Sequence, residues 1–76
     1  ETGQADQAVR QLRQAVEVAP GAPTLRYHLA RALAQAGETT EAREQLKLAL
    51  ESDHAFAERE EARALQHRLS GGRSGE

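Results

Sequence analysis

Apolar residues recur along the chain at steps of three and four in four blocks, most of them closed by residues that interrupt helices. From residue 4 to 18 the apolar positions are Ala5, Ala8, Val9, Leu12, Ala15 and Val16, which share one face at about 3.6 residues per turn. Pro20, Gly21 and Pro23 end this block, because proline lacks an amide hydrogen and turns the preceding residue away from helix, while glycine accepts left-handed geometry. From 24 to 36 the stripe is Leu25, Leu29, Ala32, Leu33 and Ala36, and Gly37 stops it. From 39 to 52 it is Ala42, Leu46, Ala49 and Leu50. Thr39 and Thr40 are expected to accept hydrogen bonds from the free amides of this third helix, with Glu41 favouring its dipole. A fourth helix is expected over 57 to 69. Short connections make successive helices antiparallel, and Ala8, Ala15, Ala30, Ala42 and Ala49 let their axes approach closely. The pattern predicts an all-α fold of antiparallel helical hairpins, about four helices in total.

The blocks are also copies of one another. GQADQAVRQLRQAVE, from Gly3 to Glu17, aligns with GETTEAREQLKLALE, from Gly37 to Glu51, at an offset of 34 residues and with six identities in fifteen positions. A fixed period of this size marks stacked units that are each too small to bury their own apolar face. The period then slips. Continued past Phe56, it places Arg59, Arg63 and His67 where Leu25, Leu29 and Leu33 stood, and these cannot form a buried row. Sliding the frame by two residues restores Leu65 and Leu69, with Ala62 one turn earlier, so the last connection is expected to be about two residues longer. The segment SGGRSGE, Ser70 to Glu76, is flexible in composition and predicts a disordered tail.

With 76 residues, no cysteine, and Tyr27 and Phe56 as the only aromatic side chains, the chain has a small alanine and leucine core that neither disulfides nor thiolate metal sites reinforce. The formal net charge is −2 and the arginines are scattered among glutamates, which argues against nucleic acid as a partner. No apolar run is long enough for membrane insertion, and no signal segment opens the chain. Composition leaves the compartment open.

The joint spacing resembles the tetratricopeptide repeat, a 34-residue helix-turn-helix unit. A complete unit over 23–56 matches with Leu29, Ala30, Leu33, Gly37, Ala42, Leu46 and Ala49, and a preceding half unit over 3–22 matches with Gly3, Ala8, Leu12, Ala15 and Pro20. Together they cover about two thirds of the chain. Two positions depart from the family pattern: His54 replaces the closing proline, and Arg26 stands where tryptophan is frequent. The resemblance implies a right-handed superhelix and a non-enzymatic module that binds a protein or peptide partner on the inner surface, made by the first helix of each hairpin. Thr24, Tyr27, His28, Arg31 and Gln35 occupy the matching face of the complete unit, opposite the leucine stripe. Tyrosine and arginine are the kinds of side chain enriched at binding hot spots. The lysine and asparagine with which one subclass clamps a terminal carboxylate are replaced by Tyr27 and Arg31, so that specificity is not expected.

In this frame the chain starts at the second helix of a unit, and 57–69, with one apolar side, is expected to be a capping helix followed by a flexible tail at 70–76. The closing end of a bacterial-type array is the resulting expectation. Without a leading helix, the stripe of Val9, Leu12 and Val16 would be partly uncovered, which predicts self-association, a homodimer of the chain, as the alternative role.

Catalytic and metal chemistry find no support. His28, His54 and His67 lie on separate segments without paired ligand spacing. Glu58, Glu60 and Glu61 point in different directions on a helix and, with Arg59 and Arg63 nearby, read as a salt-bridged surface. Ser52, Asp53 and His54 are adjacent and cannot converge as a triad, and Gly71 and Gly72 follow a helix, so they form no phosphate loop. No cofactor and no catalytic residue are expected.

Overall fold

The computed structural model describes residues 2–52 and 56–71. Among these, four helices follow in order: α1 (Thr2–Val18), α2 (Pro23–Gln35), α3 (Thr39–Glu51) and α4 (Arg59–Gly71). Each packs on the next, α1 on α2, α2 on α3 and α3 on α4. Two long-range links show the layering. Arg13 of α1 pairs with Glu41 of α3, and the Thr24 hydroxyl of α2 donates to Glu58 Oε1, just before α4, at 3.2 Å across 34 residues of sequence. Odd helices therefore lie side by side in one layer and even helices in the other. The slab measures 38 × 34 × 17 Å, and its short dimension suits two layers of helices.

The turns follow from local chemistry. After α1, the Ala22 amide bonds the Ala19 carbonyl at 3.1 Å, and Pro23 occupies the first turn of α2, where a missing amide hydrogen costs nothing. At the other end of α2, Gly37 has φ of 87°. The Glu38 amide bonds Leu33 O at 2.8 Å and the Gly37 amide bonds Ala34 O at 3.1 Å, the paired bonds of a Schellman closure. Residue 38 can then open α3 at once. Thr39 and Thr40 do not cap α3 as expected: Glu38 holds the cap position, and no side-chain cap bond forms. The Schellman closure ends at Glu38, so both threonines already fall inside the helix.

Leu33 and Leu46 are wholly buried, and Ala30, Ala42, Ala49 and Ala62 have no exposed surface either. Leu29, Ala32 and Leu65 complete the contact among α2, α3 and α4. The slipped frame is realised as Ala62 and Leu65 turn inward and Leu69 packs against the cluster, while Arg63 and His67 stay exposed. Helix α4 begins and ends two residues later than the pattern implied, with Phe56 to Glu58 left in the connection and Ser70 and Gly71 inside the helix. The rest of the expected tail, 72–76, lies outside the described residues.

One expectation is corrected by burial. Val9 is 7% exposed and Val16 9%, and Leu12 is half-buried against the same cluster. Returning along α1 after a short turn, α2 covers most of that stripe by itself. The large apolar side chains that do face solvent are Val18 and Leu48, on different helices.

Truncating Leu33 or Leu46 to alanine should cost about 2–5 kcal/mol, enough to lower the thermal midpoint by about 8 °C or more in a chain of this size at about 4–8 °C per kcal/mol. Circular dichroism melts that match the wild type would contradict this packing. Gly37→Ala should cost about 1–2 kcal/mol, because an L side chain is strained at positive φ, although an added Cβ meets nothing within 4 Å. A denaturation midpoint unchanged in that variant would remove the conformational explanation.

Candidate functional site

The face of α2 predicted to contact a partner is shared among three hollows. Tyr27 does not project freely from it: the side chain is 7% exposed and belongs to the core cluster. As the middle helix, α2 has neighbours on more than one side, and Tyr27 turns toward α4. Its ring edge remains accessible to a groove of 460 Å³, lined also by Arg31, Glu61, Ala64, Leu65 and Arg68. Beyond Arg31 the hollow continues along Ala34, Gln35, Leu65, Arg68 and Leu69. On the opposite side of α2 a smaller crevice of 200 Å³ is bordered by Ala8, Leu12, His28, Arg31, Ala32 and Gln35.

Arg31 is exposed and borders all three hollows. Its guanidinium carbon lies 5.7 Å from the centre of the Tyr27 ring, within the range of a cation–π contact worth about 0.5–1 kcal/mol at an exposed site. His28 tilts against the same ring, with centroids 5.7 Å apart and planes at 51°. Tyr27 thus anchors two polar side chains, one directed to each side of α2. Across the groove stands Arg68, and among the described residues the one ion pair is Arg13 with Glu41, so neither Arg31 nor Arg68 is paired with a carboxylate, although Glu61 lines the same groove. Two unpaired guanidinium groups beside an apolar floor of Leu65 and Tyr27 can take a carboxylate and an adjoining apolar side chain.

Thr24, expected on the partner face, lines none of these three hollows; its hydroxyl donates to Glu58, which links the approach to α4 with the start of α2. Glu61, Ala64, Leu65 and Arg68 complete the wall contributed by α4. Their place was hidden by the slip in the repeat, and the signal that reveals them is the restored stripe of Ala62, Leu65 and Leu69, whose flank they occupy.

Other polar groups hold the scaffold. Arg26, at the position where a large aromatic side chain is frequent in such repeats, donates through Nε to the Pro20 carbonyl at 3.1 Å and through Nη1 to Gln45 Oε1 at 2.9 Å. It ties α2 both to the preceding turn and to α3. Arg13 Nη2 bonds Glu41 Oε1 at 3.0 Å, and Nη1 reaches Oε2. The hydrogen bond to Glu41 raises the Arg13 pKa above its ordinary value, opposed by desolvation and assisted by the Glu41 and Glu38 charges. A base whose pKa rises on folding stabilises the fold below its unfolded pKa and loses that stabilisation only as pH climbs through the folded one. For arginine that window lies above the range in which proteins work. With 48% of the Arg13 side chain exposed, solvent screening keeps the pair at well under about 1 kcal/mol.

Among the described residues no group of three His, Cys, Asp or Glu side chains converges as a metal site. His28 and His67 lie on different helices, and His54 and Asp53 fall outside the described residues. No described helix is long and apolar enough to cross a membrane.

A family model described as tetratricopeptide repeat matches residues 1–69. No curated protein and no solved structure matches the chain.

The two side chains at the centre of this face should respond oppositely to truncation. Tyr27→Ala, which empties a core position, is expected to cost about 3–5 kcal/mol, whereas Arg31→Ala should change stability by no more than about 0.5 kcal/mol. Equal melting shifts for the two variants, measured by circular dichroism, would contradict the division between anchor and presented group.

Proposed function

Because the chain belongs to the tetratricopeptide repeat family, whose members generally mediate protein–protein interaction, we propose that it binds a peptide or protein partner in the groove between α2 and α4. The observation that carries this is the position of Arg31. It borders every hollow on this face, leans on a buried tyrosine, and has no carboxylate partner among the described residues. Arg31 and Arg68 supply charge for a carboxylate of the partner, Tyr27 and Leu65 supply an apolar floor, and Gln35 supplies amide hydrogen bonds at the far end. His28 serves the crevice toward α1. Thr24 acts indirectly, by holding Glu58 and with it the origin of α4.

The module is non-enzymatic in this reading. Repeats of this kind are scaffolds, and the groove joins cations to apolar surface without a nucleophile and base in contact. Self-association through Val9, Leu12 and Val16 is the less favoured alternative, since Val9 and Val16 are buried within the single chain and Leu12 is partly so.

Peptides selected from a random displayed library against the 76-residue chain test the groove directly. They should be enriched in acidic residues next to an apolar one, and lose about tenfold or more in affinity to Arg31→Ala or Arg68→Ala, in line with arginine hot spots. Arg43→Ala, on exposed α3, should leave affinity unchanged. Selected peptides that bind both groove variants as well as the wild type would exclude this surface.

A further inference from the structure

The row that broke the repeat has a place of its own. Arg59, Arg63, Gln66, His67 and Ser70 follow one another along a single side of α4, away from the groove just described, and they face Lys47, Leu50 and Glu51 of α3 across a cleft of 740 Å³. Basic groups predominate, since Lys47, Arg59, Arg63 and His67 share the cleft with Glu51 as its lone acid. Arg59 spends one N–H on the Leu50 carbonyl at 3.4 Å, which fixes its head at the mouth. Among the described residues neither Lys47 nor Arg63 forms an ion pair. The other side of α4 carries Glu61 and Arg68 into the inner groove.

We propose that this outer cleft between α3 and α4 is a second docking site, for an extended acidic segment of a protein partner. Spacing supports such an occupant. Arg59, Arg63 and His67 stand four residues apart, steps of about 6 Å along a helix, and alternate residues of an extended chain repeat at about 6.7 Å on one side. Carboxylates at every second position would meet the α4 row in register, while the intervening side chains turn to the other wall, where half-buried Leu50 offers apolar surface. A protein segment fits better than nucleic acid. The row is confined to one helix, and the chain as a whole carries a net charge of −2, which disfavours a long polyanion while permitting a few well-placed carboxylates.

Fluorescence anisotropy on the 76-residue chain tests the cleft with three probes: a labelled heptapeptide alternating glutamate with valine, its glutamine counterpart, and a labelled single-stranded oligothymidylate. The glutamate peptide should bind, lose about tenfold in affinity when salt rises from about 0.05 to 0.5 M, and exceed both other probes. Because the inner groove also takes acidic peptides, the cleft is read in the Arg31→Ala, Arg68→Ala background, where the glutamate peptide should still bind and where adding Lys47→Gln with Arg63→Gln should weaken it about tenfold. Should the combined variant lose helix by circular dichroism, the exposed Arg63→Gln alone in that background should still weaken the peptide about threefold. Absence of binding in that background, equal binding of the glutamine peptide, tighter binding of the oligonucleotide, or an affinity unchanged by Lys47→Gln with Arg63→Gln would each overturn the proposal.

Discussion

The close approach of α2 and α3 supports the rest of the structure, and it exists because alanine occupies Ala30, Ala42 and Ala49, all without exposed surface. A core with so few large side chains cannot gain much from any one of them, so it depends on bringing backbones near enough for many small contacts. Leu33 and Leu46 fill what the alanines leave. The Schellman closure at Gly37 sets this hairpin by reversing the chain in the fewest residues, and α1 and α4 then pack on a surface already formed.

Stacking explains why one helix carries the candidate site. Helix α2 has α1 on one flank and α3 against its apolar stripe, while its remaining side turns toward α4. The boundaries with α1 and α4 leave hollows, and the residues on the ridge between them, Arg31 and Gln35, border more than one. Tyr27 stiffens this ridge from beneath, so Arg31 is presented from a rigid base instead of from a loose surface helix. Pre-positioning of this kind lowers the entropy a partner must overcome on binding. The Thr24 to Glu58 hydrogen bond acts in the same direction by setting where the opposite wall begins.

Much of this was legible in the chain before its structure. The stripes of α2 and α3 and the turns at Pro20–Pro23 and Gly37 follow from local rules that tertiary packing did not override, and the two-residue slip before α4 was visible in where Leu65 and Leu69 fall. What remained hidden depended on neighbours. Tyr27 sits opposite the leucine stripe on a helical wheel, and a wheel contains no second helix to bury it. Val9 and Val16 looked uncovered because a repeat frame counts absent partners, whereas burial depends on how closely the partner present, α2, can approach. Thr39 and Thr40 had the chemistry of caps and lost the position to Glu38, since the turn before them closed sooner than a threonine cap requires. The side of α4 on which Arg68 and Glu61 fall depended on the register of that helix.

The burial of Tyr27 also has an optical consequence. The chain contains no tryptophan and one tyrosine, and that tyrosine is the floor of the groove between α2 and α4, under Arg31 and beside His28. The entire near-ultraviolet emission of tyrosine type therefore originates from one point of the fold. Any molecule that enters this groove changes the surroundings of that fluorophore without any label being attached, and one that settles in the outer cleft between α3 and α4 leaves it dark to the event.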